Sequence, residues 1–255
     1  MGKKLKRYIS YCECVSSVVL LDALLVLFSL KFKGTSRDDV KKQLTMDAKF
    51  EYVVAAQSAW LLLLAFGTAI FPVSDFAARK LCHAGSGALM LLLDPHDWRA
   101  RLFVHGVVVS SLAMTWIEAL PAFRFGQRRD VGITIYLLLV AAWFQLELPL
   151  LVIAPVFFAD PAGAVVGKWC SRHLGAWNPK INGEKTLLGS LAVFVVTLLS
   201  SSAVVSKGGG WGERLAVAAG AMWAELIGGD YDNLALAAIV LASWAMGGYS
   251  GLAIE

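Results

Sequence analysis

Charged residues are scarce in this chain of 255 residues. Lys, Arg, Asp and Glu make up 16% of the sequence, against about 25% in soluble globular proteins. The net charge is only +4, and the basic residues lie mainly in the connections between apolar runs, where they would orient a membrane protein. The composition therefore argues against a soluble fold, and we expect no nucleic-acid partner.

Cysteine is also scarce. The four cysteines include one close pair, Cys12 and Cys14, whose spacing is too tight for an ordinary zinc knuckle and which has no second half elsewhere. The sequence has no defensible internal repeat and no low-complexity tail. We therefore expect a single domain overall, without a structural zinc site.

Hydrophobic residues are abundant, at 58% of the chain, with a mean hydropathy of +0.64. Runs that approach the roughly 20 apolar residues of a bilayer span recur along the whole length. Since several runs are short, we expect an all-α, multi-pass membrane bundle of seven to nine transmembrane helices. The candidate spans lie near residues 15–30, 52–71, 81–93, 102–123, 131–146, 148–167, 186–205, 211–227 and 234–252.

The N-terminus predicts a membrane anchor. Four basic residues among the first seven precede the run at 15–30, and Lys31-Phe32-Lys33 follows in place of a cleavage site. We expect residues 1–51 to form a signal-anchor helix and a polar loop, and residues 52–255 to form a membrane-embedded catalytic domain. The endoplasmic reticulum is the first choice of membrane and a plastid membrane the second. A bacterial inner membrane and a homodimer both stay open.

The segment from Asp160 to Ser190 interrupts the apolar pattern with one acid, small residues and bases. Asp160 shares a helical face with Gly163, and the spacing of Gly163 and Gly167 is also that of a helix-packing motif. The cations and the start of the next helix would suit a polyphosphate. A positive-inside loop needs the cations but neither the carboxylate nor the glycines. The residues concerned are Lys168, Arg172, Lys180, Lys185, Gly189 and Ser190.

Two further polar groups are candidates for the same site. Glu225, Asp232 and Asn233 interrupt the last two apolar runs with oxygen ligands that suit Mg²⁺, and Asp160 could join them; a solvated turn is the alternative. Lys80 and His83 share a helical face beside Arg79. These residues could steady a phosphate, and His83 could take a proton from a substrate hydroxyl. If all nine runs cross the membrane, the three groups emerge on one face.

These elements, in this order, resemble the family of CTP-dependent lipid-alcohol kinases that includes phytol, farnesol, dolichol and yeast-type diacylglycerol kinases. The family is distantly similar to the phosphatidate cytidylyltransferases. The resemblance covers roughly the last two-thirds of the chain. The matching motifs are Arg79-Lys80-x-x-His83, Asp160-Pro-Ala-Gly-Ala-Val-Val-Gly167-Lys168, Lys185-Thr186-x-x-Gly189-Ser190, and Glu225 with Asp232-Asn233.

The resemblance implies phosphoryl transfer from CTP, or another nucleoside triphosphate, to the hydroxyl of a long-chain isoprenoid alcohol in the bilayer, with Mg²⁺. Asp160 and Asp232 would be metal ligands or catalytic acids, supported by Glu225 and Asn233. Arg79, Lys80 and the four later cations would hold the phosphates, with Gly189 and Ser190 allowing close approach. A phosphatidate cytidylyltransferase-like enzyme, a diacylglycerol kinase and a membrane transporter remain alternatives.

Overall fold

The computed structural model describes residues 37–67, 73–201 and 210–246. These residues form eight α-helices and one two-stranded antiparallel hairpin. The helices are α1 (Arg37–Phe66), α2 (Asp75–Met90), α3 (Trp98–Trp116), α4 (Val131–Gln145), α5 (Ala154–Leu174), α6 (Leu187–Ser200), α7 (Trp211–Gly228) and α8 (Asp232–Met246). The strands are β1 (Lys180–Asn182) and β2 (Lys185–Thr186).

The expected all-α class is confirmed. Each of the candidate apolar runs from residue 52 onward overlaps one of these helices, whereas the run at 15–30 and the Cys12/Cys14 pair lie outside the described residues. Two described segments are long and apolar enough to cross a membrane, Ala48–Phe66 and Leu150–Trp177. The helices α4, α6 and α8 are apolar but shorter.

Helix boundaries differ from the apolar runs at several places. Helix α1 begins at Arg37, inside the predicted polar loop, and residues 36–66 contain neither proline nor glycine to interrupt it. Helix α3 ends at Trp116, well before residue 123. Arg128 donates from Nη1 to the carbonyl oxygens of Met114 (2.7 Å) and Ile117 (2.9 Å), which stabilises the C-terminus of α3.

The chain divides into two compact units. The first contains the described residues of Met1–Ala78, Leu92–Asp130 and Leu137–Leu148. The second contains those of Arg79–Leu91, Val131–Tyr136 and Pro149–Glu255. Every residue proposed for the site from the sequence belongs to the second unit.

In the first unit, aromatic and charged side chains join elements that are distant in sequence. Phe50 of α1 meets Phe103 of α3 edge-on, and the Arg99 guanidinium lies 5.3 Å from the centre of the Phe50 ring. Arg124 donates to the Leu64 carbonyl oxygen at 2.7 Å. These contacts stabilise the unit through packing and cation–π attraction.

In the second unit, glycines bring α5 and α6 into close contact. An added Cβ on Gly189 would lie 2.8 Å from the Gly163 carbonyl oxygen and 3.2 Å from the Gly167 Cα. A Cβ on Gly163 would lie 2.5 Å from a Val193 methyl carbon. The small-residue pattern of α5 therefore packs against Gly189, since only glycine leaves room for two backbones at this distance.

Asn178 fixes the connection between the same two helices. Its buried side chain donates to the Gly167 carbonyl oxygen (3.1 Å) and to Ser171 Oγ (3.0 Å), and its Oδ1 accepts from the Leu188 amide (2.9 Å). Thr186 caps α6 by accepting from the Gly189 amide. These bonds satisfy polar groups at the end of α5 and the beginning of α6.

Helix α5 also contains an internal proline. Pro161 is buried and follows Asp160 directly. One turn before it, Phe157 packs on Gly87 of α2, where an added Cβ would lie 2.6 Å from the Phe157 side chain. The part of α5 that carries Asp160 is therefore positioned by α2.

Candidate functional site

Asp160 is the centre of a buried set of polar contacts between α2 and α5. Only 5% of the residue is exposed, and Lys80 Nζ donates to both carboxylate oxygens, at 2.9 and 2.8 Å. His83 Nδ1 lies 3.5 Å from Asp160 Oδ2. Lys80 and His83 are three residues apart on α2, so the helix presents both side chains on one face.

Lys185 makes the corresponding contact with two other acids. Its Nζ donates to Asp232 Oδ2 at 2.7 Å and also to Glu225 Oε1. The hairpin positions it: Gly183 makes the turn with φ of +55°, and Asn182 Nδ2 donates to the Leu226 carbonyl oxygen at 2.7 Å. Glycine suits the turn because side chains rarely tolerate a positive φ.

The two sets of contacts form one cluster. One oxygen from each of Asp160, Glu225 and Asp232 lies within 4.8 Å of the others. Three carboxylates thus face the two ammonium groups of Lys80 and Lys185. Buried charges are costly unless they are paired, and they concentrate where a protein binds or transforms a charged ligand.

The charge of Lys185 is favoured by its surroundings. Burial alone would lower the pKa of the ammonium group, but the carboxylates of Glu225 and Asp232 raise that pKa above its ordinary value. Lys185 therefore stays positive at any physiological pH. It can attract an anion such as phosphate as well as hold the two acids in place.

Three carboxylates of this cluster could together hold a metal ion. Asp160, Glu225 and Asp232 supply carboxylate oxygens, and Asn233 follows Asp232 with an amide oxygen. Glu225 Oε2 and Asn233 Oδ1 are buried and have no hydrogen-bond partner among the described residues. Asn233 is oriented by its Nδ2, which donates to the Gly132 carbonyl oxygen. Unsatisfied buried oxygens are the ligand type that a hard cation such as Mg²⁺ takes.

The remaining cations predicted from the sequence lie outside this cluster of contacts or at its edge. Arg79, on α2, interacts electrostatically with His83. Lys168 and Arg172 are exposed on the last turns of α5. Lys180 is exposed on β1 and pairs with Glu184 at 3.0 Å. These residues contribute positive charge to the surface of the second unit.

Gly189 and Ser190 each make a contact within the fold. Both residues are buried at the beginning of α6. Gly189 lies against α5, and Ser190 Oγ donates to the Thr186 carbonyl oxygen at 3.0 Å. Helix α5 occupies the space beside Gly189, the glycine that the resemblance assigns to a phosphate.

Sequence reasoning did not identify Tyr136 or Asn178. Tyr136 is 3% exposed, and its ring centre lies 4.0 Å from that of His83. In the sequence, Tyr136 is marked only as a polar group within the apolar run of α4. Asn178 is marked only as an asparagine between Trp177 and Pro179. Neither signal indicates a tertiary partner.

The arrangement combines oxygen ligands for a divalent cation with two lysines suited to phosphoryl oxygens. It also places a histidine beside one of the carboxylates. These are groups used in metal-assisted transfer or binding of phosphate esters. Comparison with protein-family models, with curated protein sequences and with solved structures finds no match for this chain.

Proposed function

We propose that this protein is a membrane lipid-alcohol kinase. It transfers a phosphoryl group from CTP, or another nucleoside triphosphate, to the hydroxyl of a long-chain isoprenoid alcohol such as phytol, farnesol or dolichol. The observation that carries the proposal is the buried cluster of Asp160, Glu225 and Asp232 with Lys80 and Lys185. These five residues come from four separate motifs of the resemblance.

The roles follow from the chemistry of the side chains. Mg²⁺ held by Asp160, Glu225, Asp232 and Asn233 would neutralise charge on the phosphates during transfer. Lys80 and Lys185 bind the phosphoryl oxygens as point charges. The exposed cations attract the nucleotide from solution.

The reaction balances without a covalent enzyme intermediate. The alcohol oxygen forms a bond to the terminal phosphorus as the bond from that phosphorus to its bridging oxygen breaks. The nucleoside diphosphate leaves with the electron pair. His83 takes the proton of the alcohol, and Asp160 at 3.5 Å stabilises the imidazolium that results.

A bilayer is the expected environment of the enzyme. Support comes from the two long apolar helices and from exposed tryptophans on the second unit, among them Trp169, Trp177 and Trp223. Tryptophan beside lysine and arginine is typical of the boundary between lipid and water. The proposal includes seven to nine membrane crossings, with the endoplasmic reticulum as first choice and a plastid membrane as second.

The direct test is to supply the purified protein with CTP, Mg²⁺ and a panel of phytol, farnesol, dolichol and diacylglycerol. A kinase releases CDP and a lipid phosphate. Release of pyrophosphate with phosphatidate would instead indicate a cytidylyltransferase. Movement of substrate across sealed vesicles without nucleotide would indicate a transporter.

Substitution tests the carboxylates. Asp160→Asn and Asp232→Asn are each expected to lower kcat by at least about 100-fold, the effect of losing roughly 3 kcal/mol of transition-state stabilisation. Glu118→Gln, an exposed acid in the first unit, is the control and should change kcat less than about twofold. Normal turnover by both aspartate variants in folded protein would refute the metal role.

A further inference from the structure

Two buried polar atoms lie beside the carboxylate cluster, on His83 and Tyr136. His83 Nε2 and Tyr136 Oη are both inaccessible to solvent, and neither has a hydrogen-bond partner among the described residues. The two side chains belong to α2 and α4, and their ring centres are 4.0 Å apart. Buried polar atoms without a partner call for an explanation, and two on adjacent rings are groups that one bound hydroxyl would satisfy.

The protein holds these rings firmly. Phe157 packs on Gly87, one turn beyond His83, and meets the Tyr136 ring nearly perpendicularly at 5.9 Å between centres. Phe157 is completely buried. The aromatic contacts fix the orientation of Tyr136 without using its hydroxyl, so packing accounts for the ring and leaves the oxygen unexplained.

The position connects the pair to the proposed reaction. His83 Nδ1 lies 3.5 Å from Asp160 Oδ2, and an oxygen of Asp160 lies within 4.8 Å of oxygens of Glu225 and Asp232. The other ring nitrogen of His83 is the unpartnered one. A hydroxyl that binds there is thus separated from the carboxylates by one imidazole ring.

We propose that Tyr136 and His83 together form the binding point for the hydroxyl of the acceptor alcohol. Tyr136 Oη donates a hydrogen bond to the alcohol oxygen, and His83 Nε2 accepts one from the alcohol hydroxyl. The inference rests on the proposed kinase function for the identity of the ligand, and it assigns Tyr136 a role that no motif of the resemblance contains.

Tyr136→Phe separates this role from a structural one, because it removes only the oxygen. A hydroxyl that completes the fold stabilises it, so its loss lowers the midpoint of thermal unfolding. A buried hydroxyl without a partner is unfavourable in the free protein. Tyr136→Phe is therefore expected to raise the midpoint by about 2–4 °C. Tyr52→Phe, which removes an exposed hydroxyl in the first unit, should leave the midpoint unchanged.

Ligand binding is measured without nucleotide. The full chain in detergent is heated with farnesol or with farnesyl methyl ether, whose ether oxygen can accept but not donate a hydrogen bond. Farnesol should raise the unfolding midpoint of the wild-type protein more than the ether does. Tyr136→Phe should reduce the rise that each compound gives, because both oxygens accept a hydrogen bond from Tyr136 Oη, whereas the preference for farnesol depends on His83 Nε2. In the kinase assay, the variant should have a KM for farnesol about tenfold higher than the wild type, which corresponds to the loss of one hydrogen bond. Its KM for CTP should be unchanged.

The outcomes are distinct. A lower midpoint for Tyr136→Phe, or equal effects of farnesol and its ether on the wild type, overturns the inference. If the wild type forms CDP and Tyr136→Phe has the same KM for farnesol as the wild type, the kinase function is supported and the hydroxyl site is refuted. If no alcohol gives CDP, but farnesol raises the midpoint more than its ether does and both rises depend on Tyr136, the hydroxyl site is supported and the kinase function is refuted.

Discussion

The contact of Gly189 with α5 allows a sharp prediction, because two interpretations of this residue disagree. The resemblance assigns Gly189 to the nucleotide, whereas the structure fills the space beside it with Gly163 and Gly167. Gly189→Ala places a Cβ 2.8 Å from the Gly163 carbonyl oxygen, 3.0 Å from Thr186 Oγ1 and 3.2 Å from the Gly167 Cα. Two of these atoms are backbone, so the side chain cannot be accommodated by a rotamer change, and α5 and α6 must move apart.

The magnitude follows from two opposing effects. Overpacking a tight contact costs about 1–3 kcal/mol, and a clash with two backbone atoms belongs at the upper end of that range. Replacing glycine by alanine inside a helix stabilises the helix by up to about 1 kcal/mol, through its higher helix propensity. The net loss in the free energy of unfolding is then about 2 kcal/mol, which lowers the midpoint by about 4–8 °C for a chain of this size.

Gly106→Ala is the matched control. Gly106 lies inside α3, where an added Cβ has no atom within 4 Å, so only the helix-propensity gain remains. That variant should raise the midpoint by about 2–4 °C. Thermal unfolding in detergent measures both. An unchanged midpoint for Gly189→Ala together with a raised KM for CTP would refute the packing argument and favour the nucleotide role.

Other predictions concern polar contacts in the second unit. Lys185→Met leaves the buried carboxylate of Glu225 and the half-buried carboxylate of Asp232 without their cation, and should lower the free energy of unfolding by about 3 kcal/mol in chemical denaturation. Lys180→Met breaks only an exposed pair and should cost less than about 0.5 kcal/mol; equal losses would contradict the cluster. Asn178→Ala removes three hydrogen bonds and should cost about 2–3 kcal/mol, against about 1 kcal/mol for the single bond lost in Asn182→Ala. A smaller loss for Asn178 than for Asn182 would show that the α5–α6 connection is held by other contacts.

The helices were the predictable part of the fold. Apolar runs indicate buried or lipid-facing helices wherever breaks separate them, and every described run overlaps one. Their ends were less predictable, because local tertiary contacts decide them. Arg128, for example, satisfies the last carbonyl groups of α3 from twelve residues beyond the helix end.

The composition of the site was also predictable in part. Unusual acids in apolar runs indicated Asp160, Glu225 and Asp232, and the structure brings their oxygens together. Which lysine meets which acid depends on side-chain geometry across 40 to 80 residues of sequence, for which a single sequence carries no signal. The hairpin of β1 and β2 is too short to leave a hydrophobic pattern, although it is what delivers Lys185.

Pro161 interrupts the hydrogen bonding of helix α5 directly after Asp160, a residue of the proposed site. Proline has no amide hydrogen, so the Phe157 carbonyl oxygen loses its donor four residues ahead, and the two halves of the helix are coupled less rigidly than in an unbroken ladder. The first half is aligned by Phe157 on α2 and the second by Gly163 and Gly167 on α6. Asp160 lies where these two halves meet. A small change in the contact of α5 with either α2 or α6 would therefore turn the Asp160 carboxylate and leave the other helix contact in place.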